Sequence, residues 1–263
     1  MASPSTFLDF FKRGEVARDV RLLAAQGALA PRAHEQLSIL VLLLDDSDSE
    51  VRRTADATLN RIPKDAIAAF LGRSDVSIAL REFFADRGIF PSEIPSLDSA
   101  ESPDAPLFDT GDDDGTAAWG DAAGRSVVQR IAEMGFTERL KAALKGTREM
   151  RAILIRDTNK MIAAAVLSSP KLSESEVEGF ARMANVSEDV LRTIGATRAW
   201  IKNYSVVVAL TRNPKTPVAL SLNLVSRLGD RDLANLSVDR NVPEPLRVAA
   251  RKRTVSGSSS GRK

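Results

Sequence analysis

Short amphipathic segments that look alike recur along this chain, and this recurrence constrains its fold more than any other feature. The stretches that begin at Ser168 and Arg212 share small polar residues, a Pro-Lys pair, a polar turn and an amphipathic segment. The two pairs begin at Pro170 and Pro214, which are 44 residues apart, and a shorter echo begins at Arg240. A period of about 40 to 47 residues is typical of repeats built from helix pairs. The spacing therefore predicts a helical array whose function resides in an extended surface.

The composition favours the same fold class. Hydrophobic residues make up 43% of the 263 residues, which is enough for a buried core, but aromatic residues make up only 5%. Small and medium aliphatic side chains must therefore fill the core. Closely packed helices suit such side chains better than sandwiches or barrels, whose strands favour aromatic and β-branched residues. The composition predicts an all-α protein.

Several classes of chemistry lack the residues they need. The chain has no cysteine and a single histidine, His34. Thiolate metal sites, disulfides and a cysteine nucleophile are therefore excluded, and few acid–base options remain. No glycine-rich phosphate loop, paired-carboxylate motif or Ser-His-Asp order is visible. We expect no catalytic residues, no metal site and no cofactor, and hence a protein that is not an enzyme.

Hydropathy predicts a cytoplasmic protein without a membrane partner. The apolar runs, such as residues 39–44, are at most seven residues long, whereas a membrane-spanning helix needs about 20. The first residues also lack the basic start and apolar segment of a secretory signal.

The small net charge of +2 conceals a strong asymmetry between the two halves. Residues 1–124 contain 12 basic and 22 acidic residues, whereas residues 125–263 contain 25 basic and 13 acidic residues. Such a split indicates either an anionic partner for the basic half or an interaction between the halves.

The pattern divides the chain into four parts. Residues 1–90 are predicted to form a first helical block, with a weak point at Gly14. Residues 91–124 contain nine acidic residues, no basic residue and four prolines. This composition predicts a disordered acidic linker, because it cannot bury enough apolar surface to offset chain entropy. Residues 125–253 are predicted to form a basic helical block, and residues 254–263 a flexible tail.

Two apolar patches interrupt the acidic linker. They are the Pro106-Leu107-Phe108 triplet and Trp119. Exposed aromatic residues in an acidic tether are a common form of docking motif, but these residues equally suit the edge of the next helix. One further hypothesis is that the linker folds over the basic block and competes with its partner, since opposite charges attract over about 8 to 10 Å at moderate salt.

A family resemblance rests on two stretches. The first matches the second helix of a HEAT repeat, in which an acidic turn leads into an amphipathic helix that opens with Val-Arg. The matching residues are Leu44, Asp45, Asp48, Val51, Arg52, Ala55 and Leu59. The stretches from Ala209 and Leu236 resemble the leucine-rich-repeat variant, a relative of HEAT and armadillo repeats.

The resemblance implies a right-handed array of helices in two blocks that the acidic linker joins. It also implies that Arg52 pairs with Asp45 or Asp48 and orients neighbouring repeats. The iron–sulfur cluster found beside some variant repeats is not expected, because it requires cysteines. These folds host scaffolds, receptors and a few enzymes, so the resemblance predicts architecture better than function.

The basic half supplies the candidate binding residues. Some of its basic residues recur at helical spacing, and Trp200 and Tyr204 are four residues apart, which places them on one helix face. The candidate partner-binding residues are Lys141, Lys145, Arg148, Arg151, Arg156, Lys160, Arg198, Trp200, Lys202, Tyr204, Arg212 and Lys215.

We expect a non-enzymatic scaffold or adaptor that binds an acidic protein partner through this basic surface. The alternative is a nucleic-acid-binding module, because basic residues interleaved with aromatic ones suit a phosphate backbone with stacked bases. HEAT-like DNA glycosylases are the enzymatic form of that alternative, but no carboxylate in the basic half is singled out for catalysis.

Overall fold

The structure is a computed structural model that describes residues 6–93, 105–110 and 126–260. In these ranges the chain forms 17 helices and no strand. The all-α prediction is confirmed. The prediction of a disordered linker lies mostly on residues outside the described ranges, as does Trp119.

The described residues form two compact units. The N-terminal unit comprises Thr6–Arg151 with Ser168–Lys171, and the C-terminal unit comprises Ala152–Leu167 with Leu172–Lys263. The prediction began the second block at residue 125, whereas the residues up to Arg151 belong with the N-terminal unit. One reason is that Ser169 and Leu144 are joined by a buried hydrogen bond of 2.6 Å from the Ser169 hydroxyl to the Leu144 carbonyl.

The N-terminal unit is built on mutual packing of its second, third and fourth helices, with the first helix against the third. Its helices are α1 Phe7–Lys12, α2 Arg18–Ala25, α3 Ala33–Leu43, α4 Ser49–Arg61, α5 Lys64–Leu71, α6 Ile78–Ala85, α7 Val127–Glu133, α8 Phe136–Lys145 and α9 Arg148–Leu154, which contains the boundary between the units.

Local sequence explains where these helices begin and end. The Asp48 side chain accepts hydrogen bonds from the backbone N–H groups of Glu50 and Val51, which caps the first turn of α4. The same helix ends before Pro63, as expected for a residue that disfavours the helical conformation of its predecessor. Gly14 separates α1 from α2 in a left-handed conformation, with φ of 68°.

The predicted apolar face of α4 is buried. Val51, Ala55, Thr58 and Leu59 are each at most 5% exposed. They lie at helical spacing, so one stripe of α4 faces α2 and α3.

The predicted partner of Arg52 is wrong. Its guanidinium donates to the backbone carbonyls of Asp46 and Ser47, in the turn that precedes its own helix. The carboxylate of Asp48 instead pairs with Arg18 of α2 at 2.6 Å. The reason is tertiary: α2 packs on α4 and brings a second arginine to the acidic turn.

In the C-terminal unit the helices pack both on neighbours in the chain and on helices further along it. Its helices are α10 Lys160–Leu167, α11 Glu174–Arg182, α12 Glu188–Ala196, α13 Arg198–Ile201, α14 Tyr204–Arg212, α15 Val218–Val225, α16 Asp230–Val238 and α17 Glu244–Ser260. The packed pairs include α11 with α12 and α14, α14 with α15, α15 with α17, and α16 with α17. The tail prediction is wrong for residues 254–260, since α17 continues to Ser260.

The two Pro-Lys pairs do not occupy equivalent places. Pro170 precedes α11, whereas Pro214 precedes α15. α11 packs mainly on α14, whereas α15 packs mainly on α17. What the two Pro-Lys pairs share is a place in the turn that leads into a helix.

Candidate functional site

The candidate binding residues are divided between the two units. Those from Lys141 to Arg151 belong to the N-terminal unit, and those from Arg156 to Lys215 belong to the C-terminal unit.

Three of the candidate cations have carboxylate partners. Lys145 pairs with Asp109 at 2.5 Å, Lys160 with Asp189 at 2.8 Å, and Arg212 with Asp232 at 2.7 Å. A paired cation attracts a further anion less strongly, because its charge is already compensated.

Six other candidate cations have no ion pair within the described part of the chain. Five of them are exposed and Lys141 is half-buried. They are Lys141, Arg148, Arg156, Arg198, Lys202 and Lys215. Their charges remain available to an anionic partner.

Arg151 is not a surface residue, contrary to its prediction as a binding residue. It is 4% exposed, and its guanidinium donates to the carbonyl of Gly146 at 2.9 Å and to that of Lys171 at 3.2 Å. Buried charges persist when they are hydrogen-bonded in this way. Arg151 therefore holds two chain segments of the N-terminal unit together.

The predicted aromatic pair is also not a stacking surface. Trp200 is 7% exposed and belongs to the core of the C-terminal unit. Tyr204 is 45% exposed, but its hydroxyl donates to Asp232 at 2.6 Å and accepts from the backbone N–H of Gly229 at 3.0 Å. The Asp232 hydrogen bond raises the pKa of Tyr204. Trp200 belongs to α13 whereas Tyr204 begins α14, so the two side chains do not lie on one helix face as predicted.

The C-terminal unit contains a groove of about 760 Å³ between α12 and the start of α15, here called the Thr216 groove. Asn213 fixes one wall of this groove. Its side-chain amide donates to the carbonyls of Ala181 and Met183, at 2.7 and 2.9 Å, and its oxygen accepts from Lys215 N at 3.0 Å. The lining residues are Glu188, Arg192, Ala196, Pro214, Lys215, Thr216, Pro217, Val218, Ala219, Leu220 and Asn223.

A glycine lets the two walls of the Thr216 groove approach. A Cβ atom built on Gly195 of α12 would lie 2.5 Å from a methyl group of Leu220 on α15. A side chain at this position would displace the Leu220 side chain, because real Cβ atoms do not approach so closely. Gly195 therefore makes room for Leu220 in the wall of the groove.

The Thr216 groove contains a buried hydroxyl without a protein partner. Thr216 is 3% exposed, and no atom of the described residues hydrogen-bonds its Oγ1. A buried hydroxyl without a hydrogen bond costs about 1 to 3 kcal/mol. Lys215 brings an unpaired ammonium to the same wall, while Glu188 is engaged by Arg192. The groove therefore offers the positive charge of Lys215 beside apolar side chains, whereas the Thr216 hydroxyl is closed to solvent.

A second groove lies in the N-terminal unit and holds residues 105–110, the described part of the predicted linker. The Gln36 side chain accepts from the backbone N–H groups of Leu107 and Phe108, at 2.8 and 3.0 Å, and donates to the Phe108 carbonyl. The Phe108 ring lies beside Gly27, where a built Cβ atom would be 2.5 Å from the ring. We call this site the Phe108 groove.

Two cations complete the Phe108 groove. The Arg61 guanidinium stacks over the Phe108 ring, 4.7 Å from its centroid, and Lys145 pairs with the adjacent Asp109. The Pro106-Leu107-Phe108 triplet is not the edge of a helix. It docks on the N-terminal unit through its contacts with Gln36 and Gly27.

Sequence reasoning missed the residues that receive Phe108. One signal was present: Gln36 is a polar residue in the apolar stripe of α3, between Ala33 and Leu40, and it is only 3% exposed. A polar side chain at a core position needs a hydrogen-bond partner. The sequence did not reveal that the partner is 71 residues away.

The described residues form an all-helical fold with two surface grooves. None of its described helices is both long and apolar enough to cross a membrane. The described residues also contain no group of three or more His, Cys, Asp and Glu side chains suited to a metal ion. Comparisons of the chain with protein-family models, with curated proteins and with solved structures found no match.

Proposed function

We propose that this protein is a non-enzymatic helical-repeat scaffold that binds an acidic segment of a protein partner through its basic C-terminal unit. The observation that carries the proposal is the Thr216 groove, where the unpaired ammonium of Lys215 lies beside the apolar side chains of α15.

The packing of the C-terminal unit supports a repeat array. Three helices of nine residues each, α11, α14 and α16, begin at Glu174, Tyr204 and Asp230. Each is followed by a second helix on which it packs. Nearest-neighbour packing of helix pairs is the defining property of solenoid proteins. These starts are 30 and 26 residues apart, so the proposed repeat is shorter than the 44-residue spacing.

The chemistry of the groove fits a carboxylate ligand. The Lys215 ammonium attracts an anion and donates hydrogen bonds to a carboxylate oxygen. Pro217, Val218 and Leu220 provide apolar walls for the rest of a peptide.

The proposal does not require a nucleic-acid partner. The aromatic platform that favoured nucleic acid depended on Trp200, which is buried. Base stacking supplies much of the affinity of single-strand binding sites, so the alternative has lost its main support.

A binding titration of the full chain tests the proposal. The probe is a fluorescein-labelled peptide that alternates Glu with Leu, and an oligothymidylate of matched charge serves as a second probe. We expect Lys215→Glu to weaken peptide binding about tenfold, which corresponds to about 1.4 kcal/mol. The control is Arg240→Glu, an equal charge change at an exposed turn residue outside the groove.

Two outcomes would contradict the proposal. In one, Lys215→Glu and Arg240→Glu weaken peptide binding equally, which would leave only a nonspecific charge effect. In the other, the oligothymidylate binds more tightly than the peptide with a steep salt dependence, which would favour the nucleic-acid alternative.

A further inference from the structure

Three kinds of contact hold residues 105–110 in the Phe108 groove, and each recognises a different chemical property. This site belongs to the N-terminal unit and shares no residue with the Thr216 groove, so it is independent of the function proposed for that groove.

The first contact recognises backbone. The Gln36 amide uses both of its ends, because its oxygen accepts from two successive N–H groups and its nitrogen donates to the Phe108 carbonyl. Such contacts are made to main-chain atoms, so they tolerate many side chains. They provide affinity for a peptide segment without specifying its sequence.

The second contact selects an aromatic side chain. Gly27 has a positive φ of 77° and no side chain, and the Phe108 ring occupies the space that a Cβ atom would fill. Arg61 closes over the ring in a cation–π contact. A flat ring fits between a glycine and a guanidinium, whereas a branched aliphatic side chain would lose the cation–π contact.

The third contact selects an acidic residue directly after the aromatic one. Lys145 pairs with Asp109 at 2.5 Å, and the Lys145 side chain is only 11% exposed. The groove thus recognises an aromatic residue followed by an acidic one, which Phe108 and Asp109 supply.

The docked segment is small and only partly buried. Leu107 and Phe108 are half-buried and Asp109 is exposed. A contact of this size gives weak affinity by itself. The covalent tether compensates, because an intramolecular ligand has an effective concentration in about the millimolar range.

We infer that the Phe108 groove is a binding site for an extended segment of a protein partner in which an acidic residue directly follows an aromatic one. Residues 105–110 occupy the site in cis as a displaceable internal ligand. A partner that presents such a segment binds in their place and releases them.

Peptide binding to the full chain tests this inference. The probe is a fluorescein-labelled peptide of residues 103–112, titrated into the wild-type chain and into Phe108→Ala/Asp109→Ala, which weakens the cis ligand. We expect the double variant to bind the peptide about tenfold more tightly, because the tethered competitor no longer occupies the groove. Circular dichroism of both chains establishes that they are equally folded.

Further variants assign the contacts in the background of the double variant. Gln36→Ala should abolish measurable peptide binding. Lys145→Glu should weaken it about two- to fivefold, as expected for a partly exposed ion pair, and a peptide with Asp109→Lys should restore it. Lys141→Glu is the matched control, because it lies one turn earlier on α8 and has no ion pair in the described residues.

Two results would overturn the inference. Equal peptide binding by the wild-type chain and the folded double variant would make residues 105–110 a structural clamp. A wild-type dimer that Phe108→Ala dissociates, measured by analytical ultracentrifugation, would assign the groove to a second copy of this chain instead.

Discussion

The two grooves each contain a buried polar side chain, and they differ in what satisfies it. In the Phe108 groove the Gln36 amide is hydrogen-bonded at both ends by an extended segment of the chain. In the Thr216 groove no atom of the described residues bonds the Thr216 hydroxyl. Helices satisfy their own backbone groups, so a polar side chain in a cleft between helices depends on what enters the cleft. An extended segment is one solution that this protein uses.

The largest expected effect concerns the shape of the Phe108 groove. Gly27→Ala should lower the free energy of unfolding by about 3 kcal/mol, from a left-handed alanine and from loss of Phe108 burial. The control is Gly14→Ala, which has a similar φ of 68° and no atom within 4 Å of its built Cβ. Urea denaturation measures both. Equal losses would mean that Phe108 contributes nothing, and the comparison of the grooves would fail.

The next largest effect concerns the side-chain amide of Gln36. Gln36→Leu should lower the free energy of unfolding by about 2 kcal/mol, because it removes every hydrogen bond to Leu107 and Phe108. Gln26→Leu should change it by less than about 0.5 kcal/mol, since Gln26 is half-buried and makes no side-chain hydrogen bond among the described residues. Thermal and urea unfolding measure both variants. A neutral Gln36→Leu would show that the segment is not held through its backbone.

In the Thr216 groove, removing the polar group should raise the free energy of unfolding instead of lowering it. Thr216→Val should raise the free energy of unfolding by about 1 kcal/mol, because it replaces an unpaired buried hydroxyl with a methyl group of the same shape. Thr211→Val is the matched control and should lower it by about 1 kcal/mol, since the Thr211 hydroxyl is fully buried and donates to the Val208 carbonyl at 2.9 Å. Destabilisation by Thr216→Val would show that its hydroxyl is satisfied.

The smallest expected effect concerns an exposed ion pair, which contrasts with the buried contacts in the grooves. The hydrogen bond from Arg18 holds the pKa of Asp48 below its ordinary value near 3.8. A lowered pKa in the folded state contributes stability above the ordinary value, and this contribution disappears as the pH falls through the folded value. Carboxyl chemical shifts followed by NMR should show a higher Asp48 pKa in Arg18→Ala. An unchanged pKa would mean that this exposed pair is broken in solution.

Local sequence patterns determined the helices. The apolar stripe of α4, the Asp48 cap and the stop before Pro63 are each set by residues within one or two turns of one another. Helical periodicity and capping depend only on neighbouring residues. The sequence therefore predicted an all-α fold and the buried face of α4, and it singled out Phe108 as unusual.

Tertiary packing decided which side chains meet. Sequence alone assigned Arg52 to Asp45 or Asp48, placed Trp200 on a surface and counted Arg151 as a binding residue, and the structure differs in all three cases. Each outcome depends on which helices pack together, because the partner of a charged or amphipathic side chain is chosen by residues far away in sequence. The same reason hid the contact between Gln36 and Phe108 and the unpaired hydroxyl of Thr216, since both arise only when distant segments are brought side by side.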